Sequence, residues 1–439
     1  MTDAHSLPER PLTWQLCPRC ERELPASSPE SQCPDCGGLL EVRHQPPSPR
    51  DRGETLKTLF ASRRGRPDPL DASGVWRYRE LVLPDARPEQ VVTYPEGNTP
   101  LLWREAVSRF AGVEALLLKH EGMNPTGSFK DRGMTVGITQ ARRIGARAVA
   151  CASTGNTSAS LAAYASSAGL PALVFVPAGQ VALGKLAQTL AYGARTLLVR
   201  GDFDACFALV REAAEKLNVY LLNSINPFRI EGQKTIVFET LEQLLFESPD
   251  WIALPAGNLG NTSAFGKALK EASELGLIAR MPRLACIQAE GANPFALGFR
   301  EGFARPHRVK ADTVATAIKI GDPASLERAI TAVRLTNGLV TDVTDGEILE
   351  AKAVVDASGA GCEPASAASV AGVKKLAAQG VIRQGERVVA VLTGHILKDP
   401  GLLLHYHQES DPPPPRANRP IEIEASLSAV EEVLGNIRQ

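Results

Sequence analysis

Aromatic side chains are scarce, 5% of 439 residues, which leaves little material for the stacking platforms that hold single-stranded nucleic acid. Charge of one sign is not in excess either. Lys and Arg number 48 against 49 Asp and Glu, for a formal net charge of -1, so neither nucleic acid nor an anionic membrane surface is indicated as a partner. No apolar run reaches the ~20 residues that a membrane-spanning helix needs. The first ten residues lack the basic start and apolar core of a secretory signal. A cytoplasmic protein is therefore expected. Cysteines number only eight, too few in so long a chain for a disulfide scaffold, which is small and cysteine-dense.

What is present is ordinary globular material, 44% hydrophobic and 22% charged, enough for a large core. Four of the cysteines cluster. Cys17, Cys20, Cys33 and Cys36 form two Cys-x2-Cys pairs separated by twelve residues, the pattern of a zinc ribbon, in which two tight turns supply four thiolates. Pro18 and Gly37-Gly38 suit such turns, and Gly38–Arg43 reads as a β-like segment. A site with four protein ligands has no open position for substrate, so the expected zinc is structural. Arg43 and Arg50–Arg52 leave a modest basic patch, but the neutral overall balance argues against a nucleic-acid ribbon. Cys151, Cys206, Cys286 and Cys362 lie in apolar or helical surroundings and are expected to be reduced and buried.

Three regions are expected. Residues 1–71 form an N-terminal extension containing the cysteine unit at 13–45. Residues 72–405 form an α/β body with a smaller subdomain at about 135–225. Residues 406–439 form a Pro-rich spacer and a tail. Within the body, Ala148–Ala152, Pro171–Val176, Thr196–Val199 and Val219–Leu222 read as strands. Ser158–Ala168, Gly184–Tyr192 and Phe203–Leu217 read as helices between them. That alternation predicts parallel sheet with right-handed crossovers. Trp251–Leu254, Arg283–Ile287 and Arg387–Leu392 are further predicted strands. In the tail, Ile421–Glu424 alternates like a strand and Leu427–Ile437 like an amphipathic helix. No internal repeat is present.

The most informative stretch is Asn124-Pro-Thr-Gly-Ser-Phe-Lys-Asp-Arg-Gly133. Most lysines are solvated. Here, though, Gly127 and Ser128 permit close approach of backbone to a ligand, and Lys130 falls between the apolar strand Ala115–Leu118 and a predicted helix. A lysine at such a junction can sit in a cleft with a shifted pKa.

This stretch resembles the lysine motif of fold-type-II pyridoxal-phosphate (PLP) enzymes, in particular those of the threonine synthase family. Other segments match in order: Ser153–Thr157, Gly257–Asn261 and Thr393–Pro400, together with Gly97–Leu101, Asn223–Thr235 and Glu363–Ala367. The resemblance implies two parallel-sheet α/β subdomains and a homodimer. It implies that Lys130 carries PLP and that Gly257, Asn258, Leu259, Gly260 and Asn261 cradle the cofactor phosphate. Thr393 then faces the pyridine nitrogen and Asn156 the ring hydroxyl. Ser153, Thr154 and Thr157 hold the substrate carboxylate, and Lys185, Arg229, Asn223 and Ser224 the substrate phosphate.

Each role has a physical rationale beside a plainer one. A strand–turn–helix with glycines directs backbone N–H groups at an anion, although such a turn is often only a turn. Ser153 or Thr154 before a helix can be an N-cap as well as a carboxylate donor. A threonine near a ring nitrogen can simply cap a turn. The implied reaction converts O-phosphohomoserine and water to threonine and phosphate. Sister activities such as cysteate synthase, which uses phosphoserine and sulfite, or threonine dehydratase are the alternatives. A non-catalytic homologue with a zinc-ribbon interaction module is the other.

Overall fold

The computed structural model describes residues 11–47, 52–179, 186–201 and 203–437. Three strands near the N-terminus, β1 (Thr13–Leu16), β2 (Glu23–Pro25) and β3 (Glu41–His44), form an antiparallel sheet in the order β2-β1-β3. Cys17 and Cys20 lie in the turn between β1 and β2, and Cys33 and Cys36 in the connection between β2 and β3. The two knuckles repeat one backbone device: the residue four places after the first cysteine of each pair, Glu21 or Gly37, has positive φ and donates its N–H back to that cysteine's carbonyl.

The ribbon is packed on the α/β body. His44 Nε2 lies 2.9 Å from Glu231 Oε2, and Lys267 Nζ donates to Val42 O at 2.6 Å. Both belong to one compact unit, Met1–Lys398.

Ten further strands build two sheets. They are β4 (Leu101–Trp103), β5 (Ala115–His120), β6 (Ala148–Ala152), β7 (Ala172–Pro177), β8 (Arg195–Val199), β9 (Val219–Leu221), β10 (Trp251–Pro255), β11 (Arg283–Ala289), β12 (Leu339–Val343) and β13 (Arg387–Leu392). The smaller sheet is parallel, in the order β8-β7-β6-β9, and falls within the expected 135–225 subdomain. The larger runs β12-β11-β10-β13-β5-β4, parallel except for β4 at the edge.

Burial follows the strand period of two. Ile252, Leu254, Val389 and Val391 enter one core, whereas Trp251, Ala253, Val388 and Ala390 enter the other. Helices on both faces explain why β6 and β10 are buried at every residue and read as continuous apolar runs. Strand β12 was not predicted; Thr341 and Asp342 break its apolar run, and Asp342 is instead paired with Arg300 at 2.6 Å.

Between the larger sheet and the helices lies a buried lattice of charge. Lys119 on β5, Glu121 just after it, Arg132 on helix Lys130–Arg143 and Glu239 on helix Thr235–Gln243 are all fully buried. Arg132 pairs with Glu121 at 2.7 Å and with Glu239 at 2.8 Å, and Lys119 pairs with Glu239 at 2.6 Å. Isolated, any of these charges would be costly in the core; mutually paired and hydrogen-bonded, they are tolerated. The lattice fixes the helix that begins with Lys130 against β5.

The second compact unit is Asp399–Gln439. Helix Leu427–Ile437 is present as predicted. Ile421–Glu424 is not a strand: alternation alone does not make one without a neighbour to accept its ladder, and Ile421 and Ile423 stay exposed. Among the described residues, no helix is long and apolar enough to cross a membrane.

Candidate active site

Lys130 opens helix Lys130–Arg143 at the end of a loop that is stitched to the Thr393 segment. Phe129 N donates to Thr393 O at 3.0 Å and His395 N donates to Gly127 O at 2.9 Å. Asp131 folds the loop back on itself, accepting from Thr126 N at 2.7 Å and Thr126 Oγ1 at 2.6 Å. The Lys130 ammonium lies 4.2 Å from the centre of the Phe129 ring and has no hydrogen bond or ion pair among the described residues. Burial, helped by the Arg229 guanidinium and opposed by Glu363, pushes it down to about 7. Near neutral pH, much of it is therefore a free amine.

Two side chains assigned to the cofactor ring meet on one carboxylate. Asn156 Nδ2 donates to Glu363 Oε2 at 2.9 Å, and Thr393 Oγ1 donates to Glu363 Oε1 at 3.2 Å while lying 3.0 Å from Ser366 Oγ. Burial raises the Glu363 carboxyl, against the pull of Asn156, Lys398, Thr393 and Lys130. Gly394 makes room for it, since a Cβ there would lie 2.4 Å from the Glu363 carboxyl carbon.

Two helix N-termini face the same region without side-chain caps. Helix Gly260–Glu274 follows β10 through Leu259, which takes a left-handed φ of 64° at the N-cap. Neither amide atom of buried Asn261 has a partner among the described residues. Asn258 and Gly257 complete the loop; Asn258 Nδ2 donates to Ser224 Oγ at 2.7 Å, so the loop assigned to the cofactor phosphate adjoins a residue assigned to the substrate phosphate. Helix Asn156–Ser167 has Gly155 at its N-cap, and Ser153 Oγ accepts the Gly155 N–H at 3.3 Å. Neither Ser153 nor Thr154 therefore caps the helix, and both, with Thr157, stay half-buried. Uncapped N–H groups and the helix dipole suit both termini to an anion.

Arg229 sits on helix Pro227–Gln233, fully buried. Its Nη1 donates to Leu222 O at 3.0 Å, whereas Nε and Nη2 have no partner among the described residues. Burial without an opposing carboxylate holds it down to about 10. Asn223 also ties the two strands: its amide accepts from Ala152 N at 3.0 Å and donates to Ala152 O at 3.1 Å, joining β6 to the segment after β9 and leaving its second N–H available. Lys185 lies outside the described residues.

Away from this cleft, the Sγ atoms of Cys17, Cys20, Cys33 and Cys36 lie within 4.8 Å of one another. The remaining four thiols are buried, and burial pushes those of Cys151 and Cys286 up to about 12, which makes them unreactive.

A protein-family model described as "Pyridoxal-phosphate dependent enzyme" matches residues 92–394. The threonine synthase of Methanosarcina acetivorans is 44% identical over 420 residues, covering 95% of this chain and 98% of its own. That of Methanocaldococcus jannaschii is 42% identical over 423 residues, covering 96% and 99%. The chain belongs to the threonine synthase family. Among solved structures, threonine synthase from Escherichia coli superimposes with a TM-score of 0.67 at 18% identity over 97% of this chain and 100% of its own, a likeness of fold.

The residues present fit the family's cofactor. A buried amine at Lys130, an uncapped helix N-terminus at Gly260 with the unpartnered Asn261 amide beside it, and the donors Asn156 and Thr393 match the aldehyde, phosphate and ring edges of PLP. Ser128, whose buried hydroxyl has no partner among the described residues, is a further donor two residues before Lys130. Glu363 and Ser366 lie in a segment, Glu363–Ala367, to which the resemblance gives no role. Nothing local marks them, because their partners Asn156 and Thr393 lie 207 and 27 residues away.

Proposed function

We propose that this protein converts O-phospho-L-homoserine and water into L-threonine and phosphate, with PLP carried by Lys130. Arg229 is the observation that carries the reading for substrate. A buried guanidinium whose Nε and Nη2 are unpartnered beside Lys130 can grip a phosphate dianion bidentately. A substrate lacking phosphate leaves that charge stranded. When bound, PLP supplies an electron sink for negative charge developing on substrate carbon. Lys130 Nζ, kept partly neutral by burial and released from the cofactor when substrate takes its place, takes one proton each from Cα and Cβ; these and the proton of the water whose hydroxyl adds at Cβ go to the leaving phosphate, to Cγ and back to Cα. The N-terminus of helix Asn156–Ser167, with Ser153, Thr154 and Thr157, orients the substrate carboxylate. Ser224 stands beside Asn258 where the two phosphate sites adjoin.

The cysteine quartet is assigned one structural zinc. Four thiolates about 2.3 Å from a tetrahedral zinc lie about 3.8 Å apart, and the Sγ separations of 3.4 Å for Cys17–Cys36 and 3.6 Å for Cys20–Cys33 suit that geometry. A cytoplasmic location and a homodimer belong to the same proposal, carried by the family resemblance. The deciding assay measures threonine and phosphate release from O-phosphohomoserine. Faster deamination of threonine or serine would replace the reading with a dehydratase, and preference for phosphoserine with sulfite would replace it with a cysteate synthase.

A further inference from the structure

Lys398 closes the short turn Ile396–Lys398, five residues after Thr393. Its stem crosses the lysine loop at Gly127, where a Cβ would come 3.0 Å from Lys398 Cε and 3.7 Å from Nζ. The ammonium donates to Gln188 Oε1 on helix Ala187–Ala191, and Gln188 Nε2 donates to Thr126 O at 3.3 Å. The next residue, Thr189, bonds Ser158 Oγ at 3.1 Å, so this helix rests on the one that receives the substrate carboxylate. Lys398 thus touches the Lys130 loop directly and is linked to that receptor through Gln188 and Thr189.

Its charge is not neutralised there. The carboxylates whose fields reach it are Glu363 and Asp131, and neither forms an ion pair with it among the described residues. Glu363 is committed to Asn156 and Thr393, and Asp131 to Thr126 and Ser160. A neutral amide is what holds the ammonium. Arg229, on the segment after β9, is likewise without a carboxylate, so two uncompensated cations lie near the groups around Lys130 and Glu363. Partly buried cations without counter-ions are costly, and an incoming oxyanion repays that cost.

We propose that Lys398 is a substrate-binding, specificity-determining residue that exchanges Gln188 for an oxyanion of the substrate, either its phosphate or its carboxylate. The proposal rests on the reading of the site given above. It explains why the loop has glycine at 127: a side chain there would push the ammonium away from the cleft.

The test uses holoenzyme and spectral titration of the bound cofactor with inorganic phosphate in one arm and L-threonine in the other. K398M should weaken one of the two anions at least ten-fold, raise KM for O-phosphohomoserine more than it lowers kcat, and leave the cofactor spectrum in place. Phosphate affected identifies the phosphate as the partner of Lys398; threonine affected identifies the carboxylate. K398R should restore part of the affinity. Q188L separates binding from mere stapling of the two halves, since it should keep or improve anion affinity. If K398M does not fold, K398Q carries the same comparison. Unchanged affinity for both anions, an equal loss in Q188L, or loss of cofactor absorbance in the Lys398 variants would each overturn the proposal. A wild-type enzyme that binds anions through Lys398 but releases no threonine would instead refute the proposed reaction.

Discussion

Arg229→Met should make the enzyme more stable and less active at once. The guanidinium is fully buried and pushed from its ordinary value down to about 10. A depression of that size means the folded state carries the charged form at a cost of about 3 kcal/mol relative to the unfolded chain. The sign follows from the direction. At pH 7 the group is protonated in both states, so the penalty is present in full and fades only as pH rises through about 10. Methionine removes the charge at similar length. It also removes the 3.0 Å bond to Leu222 O, which leaves that carbonyl unpaired and returns about 1–2 kcal/mol. The balance is a gain of about 1–2 kcal/mol, or roughly 2 °C in midpoint for a chain of this size. Scanning calorimetry of holoenzyme in phosphate-free buffer reads it. In the wild type, phosphate at a hundred times its dissociation constant should add about 2.7 kcal/mol; in R229M that addition should vanish. Catalytic efficiency with O-phosphohomoserine should fall by about 2–5 kcal/mol, at least tens-fold. A lower midpoint without phosphate, together with intact phosphate stabilisation, would mean that Arg229 is a structural residue and not a phosphate ligand.

Uptake of PLP by cofactor-free protein should accelerate as pH rises through about 7, where Lys130 becomes a free amine, and level off above it. Borohydride reduction and peptide mapping should place the pyridoxyl label on Lys130; an inflection near that of an ordinary lysine, or a label elsewhere, contradicts the assignment. Replacing Cys17 and Cys20 together with Ser should abolish zinc binding by elemental analysis and lower the thermal midpoint, with turnover per folded molecule largely kept; lost turnover in fully folded protein would deny a purely structural role. Arg132→Met should cost about 3–5 kcal/mol in denaturant unfolding, because it strands the buried carboxylate of Glu121 and leaves Glu239 to Lys119 and the more distant Arg77, and a cost under about 1 kcal/mol would show the lattice to be dispensable.

The regular parts of this fold were legible because burial on both faces leaves a plain signature. Strand β6 is five buried residues in a row and β13 matches its predicted bounds. Elements defined by a neighbour rather than by their own pattern were not. Strand β12 carries polar residues yet pairs with β11 at a sheet edge, while Ile421–Glu424 has the alternation and no partner. The site divides in the same way. Lys130 and the Gly257–Asn261 loop stand at strand–helix junctions that the chain itself announces. Asn223 and Glu363 bond to Ala152 and Asn156, which lie 71 and 207 residues away, so residue type alone could not reveal the strand tie or the buried bridge.

The charge lattice beneath Lys130 also constrains how this sequence can drift. Exchanging Lys119, Glu121, Arg132 or Glu239 singly leaves an unmatched ion in a dry interior, whereas exchanging the whole set for well-packed apolar residues can be neutral or favourable. Intermediate sequences are the costly ones. The four positions therefore behave as a single heritable unit, separated from any apolar solution by a valley of low stability, and a designer wishing to remodel the helix that carries Lys130 must redesign all four in one step.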